Sequence, residues 1–147
     1  MLLDDLLIAS RAKRIELVPF TYSAVFPIAT FTAGATLAIN VPINNDSDFC
    51  WRYTTLSAYT AINVPQVAPD YTISFFDTGS GRNDQDQAIH VSCVTGTALL
   101  PYVLPEPRKI AAGSVLTVTM TNVGGVAALA QVVLNGFKIY TLQGYNR

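Results

Sequence analysis

SVLTVTMTN, residues 114–122, decides what kind of chain this is. Leu116, Val118 and Met120 alternate with Thr117, Thr119 and Thr121. A period of two puts the apolar set on one face of an extended strand and the threonines on the other. ATLAINVPI (35–43) repeats the pattern: Leu37, Ile39, Val41 and Ile43 share one face, Ala38, Asn40 and Pro42 the other. Pro42 has no N–H to give a ladder, which predicts an edge or a strand end there.

The same texture extends in both directions. TYSAVFPIATF (21–31) reads as a first strand bent at Pro27. In FCWRYTTLSA (49–58), Phe49, Trp51 and Tyr53 are expected on one face, with Cys50, Arg52 and Thr54 on the other. YTISFFDT (71–78) and AIHVSCV (88–94) are further strands. VAALAQVVLNGFKIYT (126–141) closes the chain after the glycine turn at 124–125. NNDSD (44–48), NVPQVAPD (63–70) and GSGRNDQDQ (79–87) are turns or loops. LLPYVLPEPRK (99–109), with three prolines, is expected to be extended but irregular. About eight short strands joined by turn-rich loops predict an all-β fold. A jelly-roll-like β-sandwich fits best. An immunoglobulin-like sandwich is the alternative, though Trp51 directly follows Cys50 and no Cys–Trp–Cys order of that kind is present.

The first nineteen residues differ. Leu2, Leu3, Leu6 and Leu7 recur at helical spacing around Asp4 and Asp5. They predict a short amphipathic helix over 2–12, too short to be stable alone. It either lies on its own domain or is an arm reaching a neighbouring subunit. The expected organisation is an arm or helix, 1–19, and a β-sandwich domain, 20–147. Acidic Asp4 and Asp5 and a broken apolar run argue against a signal peptide. No apolar run approaches the ~20 residues of a membrane helix.

The chain has 147 residues, enough for one domain with a substantial core. Only 13% are charged and the net charge is −1. So weak a field excludes a nucleic-acid partner as an expectation, and a near-neutral chain tends to associate. Cys50 and Cys93 are too few for a disulfide framework or a zinc site, and both lie in apolar runs that predict buried thiols.

FFDTGSGR (75–82) resembles the catalytic loop of an aspartic protease, with Asp77 as the carboxylate. That chemistry needs two aspartates sharing a proton, so this chain would have to act as a dimer, and it lacks a glycine-rich flap. A strand ending in a turn uses the same residues, because Asp caps turns and Gly takes positive φ. His90 is the only histidine and sits in an apolar strand, which favours a structural role. The amide-rich acidic loops NNDSD and NDQDQ are candidates for a weak calcium site without EF-hand spacing. No phosphate loop is present. Tyr53, Tyr59, Tyr71 and Tyr102 are candidate sugar platforms, though tyrosine is common in strands.

Four segments together resemble one family of small tailed-bacteriophage virion structural proteins, of the head decoration, cement or collar type. They are DSDFCWR (46–52), SFFDTGSGR (74–82), LLPYVLPEPRKIAAGSVLTVTMTN (99–122) and NGFKIY (135–140). The resemblance covers roughly residues 20–140 in order and omits the N-terminal arm. It implies a non-enzymatic virion protein, made in the host bacterial cytoplasm, with no cofactor, no metal and no catalytic residue. DTGSGR is then a strand-end turn. Arg82 and Arg108 become candidate subunit contacts beside the arm residues Leu2, Leu3, Leu6 and Leu7. The implied partners are the major capsid protein or neck proteins and further copies of the chain, with no nucleic acid and no membrane. Capsid decoration is the first expectation. A collar or head–tail joint protein is second, followed by a glycan- or receptor-binding module and a dimeric protease using Asp77.

Overall fold

The computed structural model describes residues 2–11, 15–60 and 63–141. Its elements are a helix α1 (Leu2–Arg11) and nine strands: β1 (Ile15–Phe26), β2 (Thr36–Pro42), β3 (Asp48–Thr60), β4 (Tyr71–Asp77), β5 (Arg82–Asn83), β6 (Ile89–His90), β7 (Tyr102–Ile110), β8 (Val115–Asn122) and β9 (Ala128–Thr141). A 3-10 turn, Val91–Cys93, follows β6.

The strands form two antiparallel sheets, ordered β1-β9-β3-β7 and β2-β8-β4-β5, with β6 also on β4. The pairing is nested: β1 with β9, β2 with β8, β3 with β7, and β4 with β5 and β6. β8 runs along one side of β4, so β5 and β6 share the other side as two pieces of one interrupted strand. The chain is thus one long hairpin, folded over so that β9 also meets β3 and β8 also meets β4. That wrapping is a jelly roll, and it decides against the immunoglobulin-like alternative.

The expected alternation in the second sheet holds. Leu116, Val118 and Met120 are fully buried and pair with Val41, Ile39 and Leu37 on one side and Phe75 and Ile73 on the other. Each such side chain contributes about 1.5–3 kcal/mol of burial. Facing them are Tyr22, Ala24, Phe26, Phe49, Leu134 and Ile110 of the first sheet. Trp51 meets Phe75 across the gap at 4.9 Å, edge to face.

Four expectations are corrected. β1 ends at Phe26, just before Pro27, and starts at Ile15, so Pro19 lies inside it. β1 is an edge strand, where a missing N–H is tolerated. Residues 102–110 form a strand despite Pro105 and Pro107, because β7 is the opposite edge and pairs with β3 only on either side of 104–107. β3 carries a bulge between Trp51 and Tyr53, so Thr54, not Tyr53, joins Phe49 and Trp51 in the interior. Residues 91–93 turn instead of extending the strand, and Cys93 is exposed while Cys50 is buried.

Gly136 lies opposite the bulge, paired with Trp51. A Cβ there would overlap the carbonyl oxygen of Cys50. At the end of the sandwich where β3 and β8 begin, the acidic turn is held by cations of the same chain. Lys138, 4% exposed, places Nζ 2.9 and 3.1 Å from the two oxygens of Asp46 and 4.4 Å from the Phe20 ring. Tyr140 Oη donates to Asp46 at 2.9 Å. Asp48 accepts from Lys109 at 2.8 Å and from the Ala112 amide at 2.8 Å.

The hydrogen bond from Lys138, then that from Tyr140, holds the Asp46 carboxyl below the usual carboxylate range. Burial, the largest single effect, disfavours the Lys138 charge, but the Asp46 hydrogen bond together with the charge interactions of Tyr22, Asp46 and Tyr140 outweighs it and leaves the ammonium pKa raised. A depressed carboxylate pKa gives stability that is present above the unfolded pKa and lost as pH falls through the folded one. A raised lysine pKa gives stability present below the unfolded value and lost in strong alkali. The melting-temperature difference between wild type and Asp46→Asn is therefore expected to be largest near neutrality and to shrink from about pH 5 toward pH 3. Gly136→Ala is expected to cost about 3 kcal/mol, the upper range of overpacking. Gly125→Ala, with nothing within 4 Å of its Cβ position, should leave denaturant unfolding unchanged.

Candidate functional site

The strand directions gather four connections at one end of the sandwich. These are 27–35, the described part of the β3–β4 connection (63–70), 91–101 and 123–127. They carry six of the thirteen large exposed apolar side chains among the described residues, including the three most exposed. Val67 is 100% exposed, Leu99 92% and Leu100 80%, and Val64, Val123 and Val126 are each at least half exposed. Val25 and the cross-strand pair Tyr59–Leu129 continue the surface onto the outer face of the first sheet. Outside this end, the other large exposed apolar side chains among the described residues are Leu7, Ile8, Phe76 and Val103. Apolar side chains concentrated on loops at one end mark an interaction surface rather than scattered exposure.

The end has a concave centre. A groove of about 420 Å³ is floored by Leu56–Tyr59 of β3 and lipped by Pro65–Pro69 and Val91–Thr97. Buried polar groups hold the loops of this end in place. Asn122 closes SVLTVTMTN and is fully buried. Its Nδ2 donates to the carbonyls of Phe31 (3.1 Å) and Val126 (2.9 Å), and its Oδ1 accepts from the Gly124 amide (3.1 Å). The amides of Val123 and Gly124 donate to the Asp70 carbonyl at 3.1 and 3.0 Å, tying 123–127 to the β3–β4 connection. Tyr71 Oη donates to Gln66, and burial pushes its phenol up to about 12.

His90 stands at the groove mouth. Its Nδ1 lies 2.7 Å from Ser92 Oγ and accepts from the Ser92 amide at 3.2 Å, while Nε2 lies 3.3 Å from Asp70 Oδ1. The order Ser–His–Asp matches a hydrolytic relay, but the one lone pair of Nδ1 is already engaged by the Ser92 amide, which makes His90 the cap of the turn that follows it.

Asp77 is 3% exposed. Its Oδ1 accepts from the Gly79 amide at 2.9 Å and its Oδ2 from Ser80 Oγ at 2.8 Å. Gly81, at φ +66°, completes the turn. Both carboxylate oxygens thus serve the DTGSGR turn. Arg82 is exposed next to it, its backbone paired with Asp77. Arg108 is half-buried and forms an ion pair with Asp84, joining β7 of one sheet to the segment after β5 of the other. Three of the four carboxylates of the two acidic loops are therefore turned toward lysines and an arginine of the same chain: Asp46, Asp48 and Asp84 each have such a partner, while Asp86 is exposed.

Helix α1 touches β1 and β7, the two outermost strands of the first sheet. Between them, on the outward side, Cys50 and Ile139 are 0% and 9% exposed and do not belong to the interior cluster. The helix therefore lies across that face and covers them. Burial raises the Cys50 thiol pKa. Leu2, Leu3 and Leu6 are half-buried, whereas Leu7 (41%) and Ile8 (64%) are exposed. The structure thus separates the sequence-derived candidates: the arm leucines lie on one face, Arg82 in a turn and Arg108 in a flank ion pair. None is at the apolar end. The residues of that end come from separate loops, and the available signal was valine and leucine within proline- and glycine-rich turns: NVPQV, ALLP and NVGGV.

No protein-family model and no curated protein matches the chain. Among solved structures it is similar to the crystal structure of the infectious bursal disease virus VP2 subviral particle, at 13% identity and a TM-score of 0.36, over 90% of this chain. The chain spans 33% of that protein. No helix among the described residues is long and apolar enough to cross a membrane.

Asn122→Ala removes three hydrogen bonds and leaves the Val126 carbonyl without its donor, while the Phe31 carbonyl keeps the Ala128 amide and the Gly124 amide keeps the Asp70 carbonyl. It is expected to cost about 1–3 kcal/mol in denaturant unfolding and to raise amide exchange in 27–35 and 123–127.

Proposed function

We propose that this chain is a non-enzymatic structural protein of a virus particle, a capsid decoration or cement protein of a tailed bacteriophage. It seats its apolar loop end on the assembled head, with the major capsid protein as partner. The observation that carries this reading is the concentration of exposed valine and leucine around a groove at one end of a rigid jelly roll. Loops held by buried hydrogen bonds lose little entropy on docking, which favours a preformed interface. The low charge leaves little electrostatic repulsion between closely spaced copies. Many copies on one shell turn a modest single-site affinity into durable reinforcement. The four-segment resemblance to phage structural proteins supports the same reading.

Contacts between copies use a second surface. Leu7 and Ile8 on α1 and Arg82 in the DTGSGR turn are exposed away from the loop end, where they meet neighbouring subunits on the lattice. Leu2, Leu3 and Leu6 anchor the helix from which Leu7 and Ile8 project. Arg108 fixes the flank through Asp84.

The test is co-sedimentation with undecorated heads, alongside electron microscopy of whole particles. Burying Val67, Leu99 and Leu100 contributes roughly 1.5–3 kcal/mol each. The triple change Val67→Ser, Leu99→Ser, Leu100→Ser is expected to weaken binding by at least about 100-fold with unchanged melting. Regular density over the capsid with the loop end inward supports the proposal. Density confined to the neck makes the chain a collar or joint protein, and absence from the particle overturns the virion role.

A further inference from the structure

The flank between β7 and the segment after β5 holds a second cavity, of about 210 Å³ and separate from the end groove. Two side chains in its wall are buried with polar atoms that have neither a hydrogen bond nor an ion pair, Trp51 Nε1 (residue 3% exposed) and Thr54 Oγ1 (0%); a third buried atom there, Asp84 Oδ1, has only its ion pair with Arg108. The first two are placed there by the β3 bulge, which turns Thr54 inward beside Trp51. A buried donor left without an acceptor is destabilising, so the pair is a standing demand for an occupant.

Chemistry narrows what that occupant is. The indole N–H only donates, so the occupant presents an acceptor oxygen, while the threonine hydroxyl both donates and accepts. The one cation in the wall, Arg108, is already neutralised by Asp84, and Glu106 adds a negative charge, which disfavours an anion. Phe75 and Leu104 give the cavity an apolar side, which suits a ring with a C–H face.

We propose that this flank cavity binds a single neutral sugar residue. A hydroxyl or acetamido oxygen accepts from Trp51 Nε1, a hydroxyl pairs with Thr54 Oγ1, and the C–H face lies on Phe75 and Leu104. The site is independent of the loop-end surface and of the virion role.

Trp51 is the only tryptophan in the chain, so its emission reports on this cavity alone. The full chain is titrated with N-acetylglucosamine, glucose and galactose, with sodium acetate as an anionic control. The expected result is a saturable emission change with at least one sugar and none with acetate. Affinity should fall at least tenfold in Thr54→Val, which removes an unpartnered hydroxyl and should melt at or above the wild-type temperature. No saturable change with any of the three sugars, an equal response to acetate, or an undiminished response in Thr54→Val overturns the proposal. A crystal grown with the responding sugar gives a second reading: a ring in the cavity supports the site, and water alone overturns it.

Discussion

The pairing of β9 with β3 is the constraint on which the rest depends. The nested pairs by themselves describe a ribbon, a hairpin with one face wet and the other half covered. Laying β9 between β1 and β3 folds that ribbon over and brings two apolar faces together. The contact is close enough that only glycine fits at 136, where the bulged β3 presses its Cys50 carbonyl against the neighbouring strand. The bulge switches which residues of β3 face inward, so a single backbone irregularity defines both the inter-sheet contact of Trp51 with Phe75 and the inward position of Thr54.

Once the ribbon is wrapped, the two ends acquire different chemistry. One end is tied by charge: Lys138 and Tyr140 on Asp46, Lys109 on Asp48. The other is tied by neutral hydrogen bonds through Asn122 and displays valine and leucine to water. A chain with few charges has spent several of them on internal ties, and Asp70, paired with His90, is the one acidic residue in the described loops of the apolar end.

The sandwich was legible in the sequence because strands packed on one face show their period directly. SVLTVTMTN and ATLAINVPI read correctly residue by residue. Where reading failed, a local feature broke the period or lifted a local rule. The bulge after Trp51 shifted the phase of FCWRYTTLSA, an effect that depends on Gly136 more than eighty residues away. Edge position excused the prolines of β7. Cys93 fell in a turn that His90 caps, so an apolar neighbourhood in sequence did not become burial in space. The turn reading of DTGSGR matches the structure, since Asp and Gly there satisfy a local geometry. The apolar end was not legible as a unit, because its members are scattered from Val64 to Val126 and only the wrapping assembles them.

The nesting also imposes an order of assembly. The innermost turn, between β4 and β5, closes a loop of a few residues, whereas the outermost pair joins Ile15 to Thr141 across nearly the whole chain. Loop-closure entropy grows with the distance spanned, and folds rich in long-range pairs form slowly. Loop closure thus favours an order in which the β4–β5 turn forms first and the β1–β9 pair closes last. The helix that precedes β1 arrives with it, so the face holding Cys50 and Ile139 stays uncovered until the end. In that order the outer face of the first sheet is the last to be covered, and α1 is what covers it.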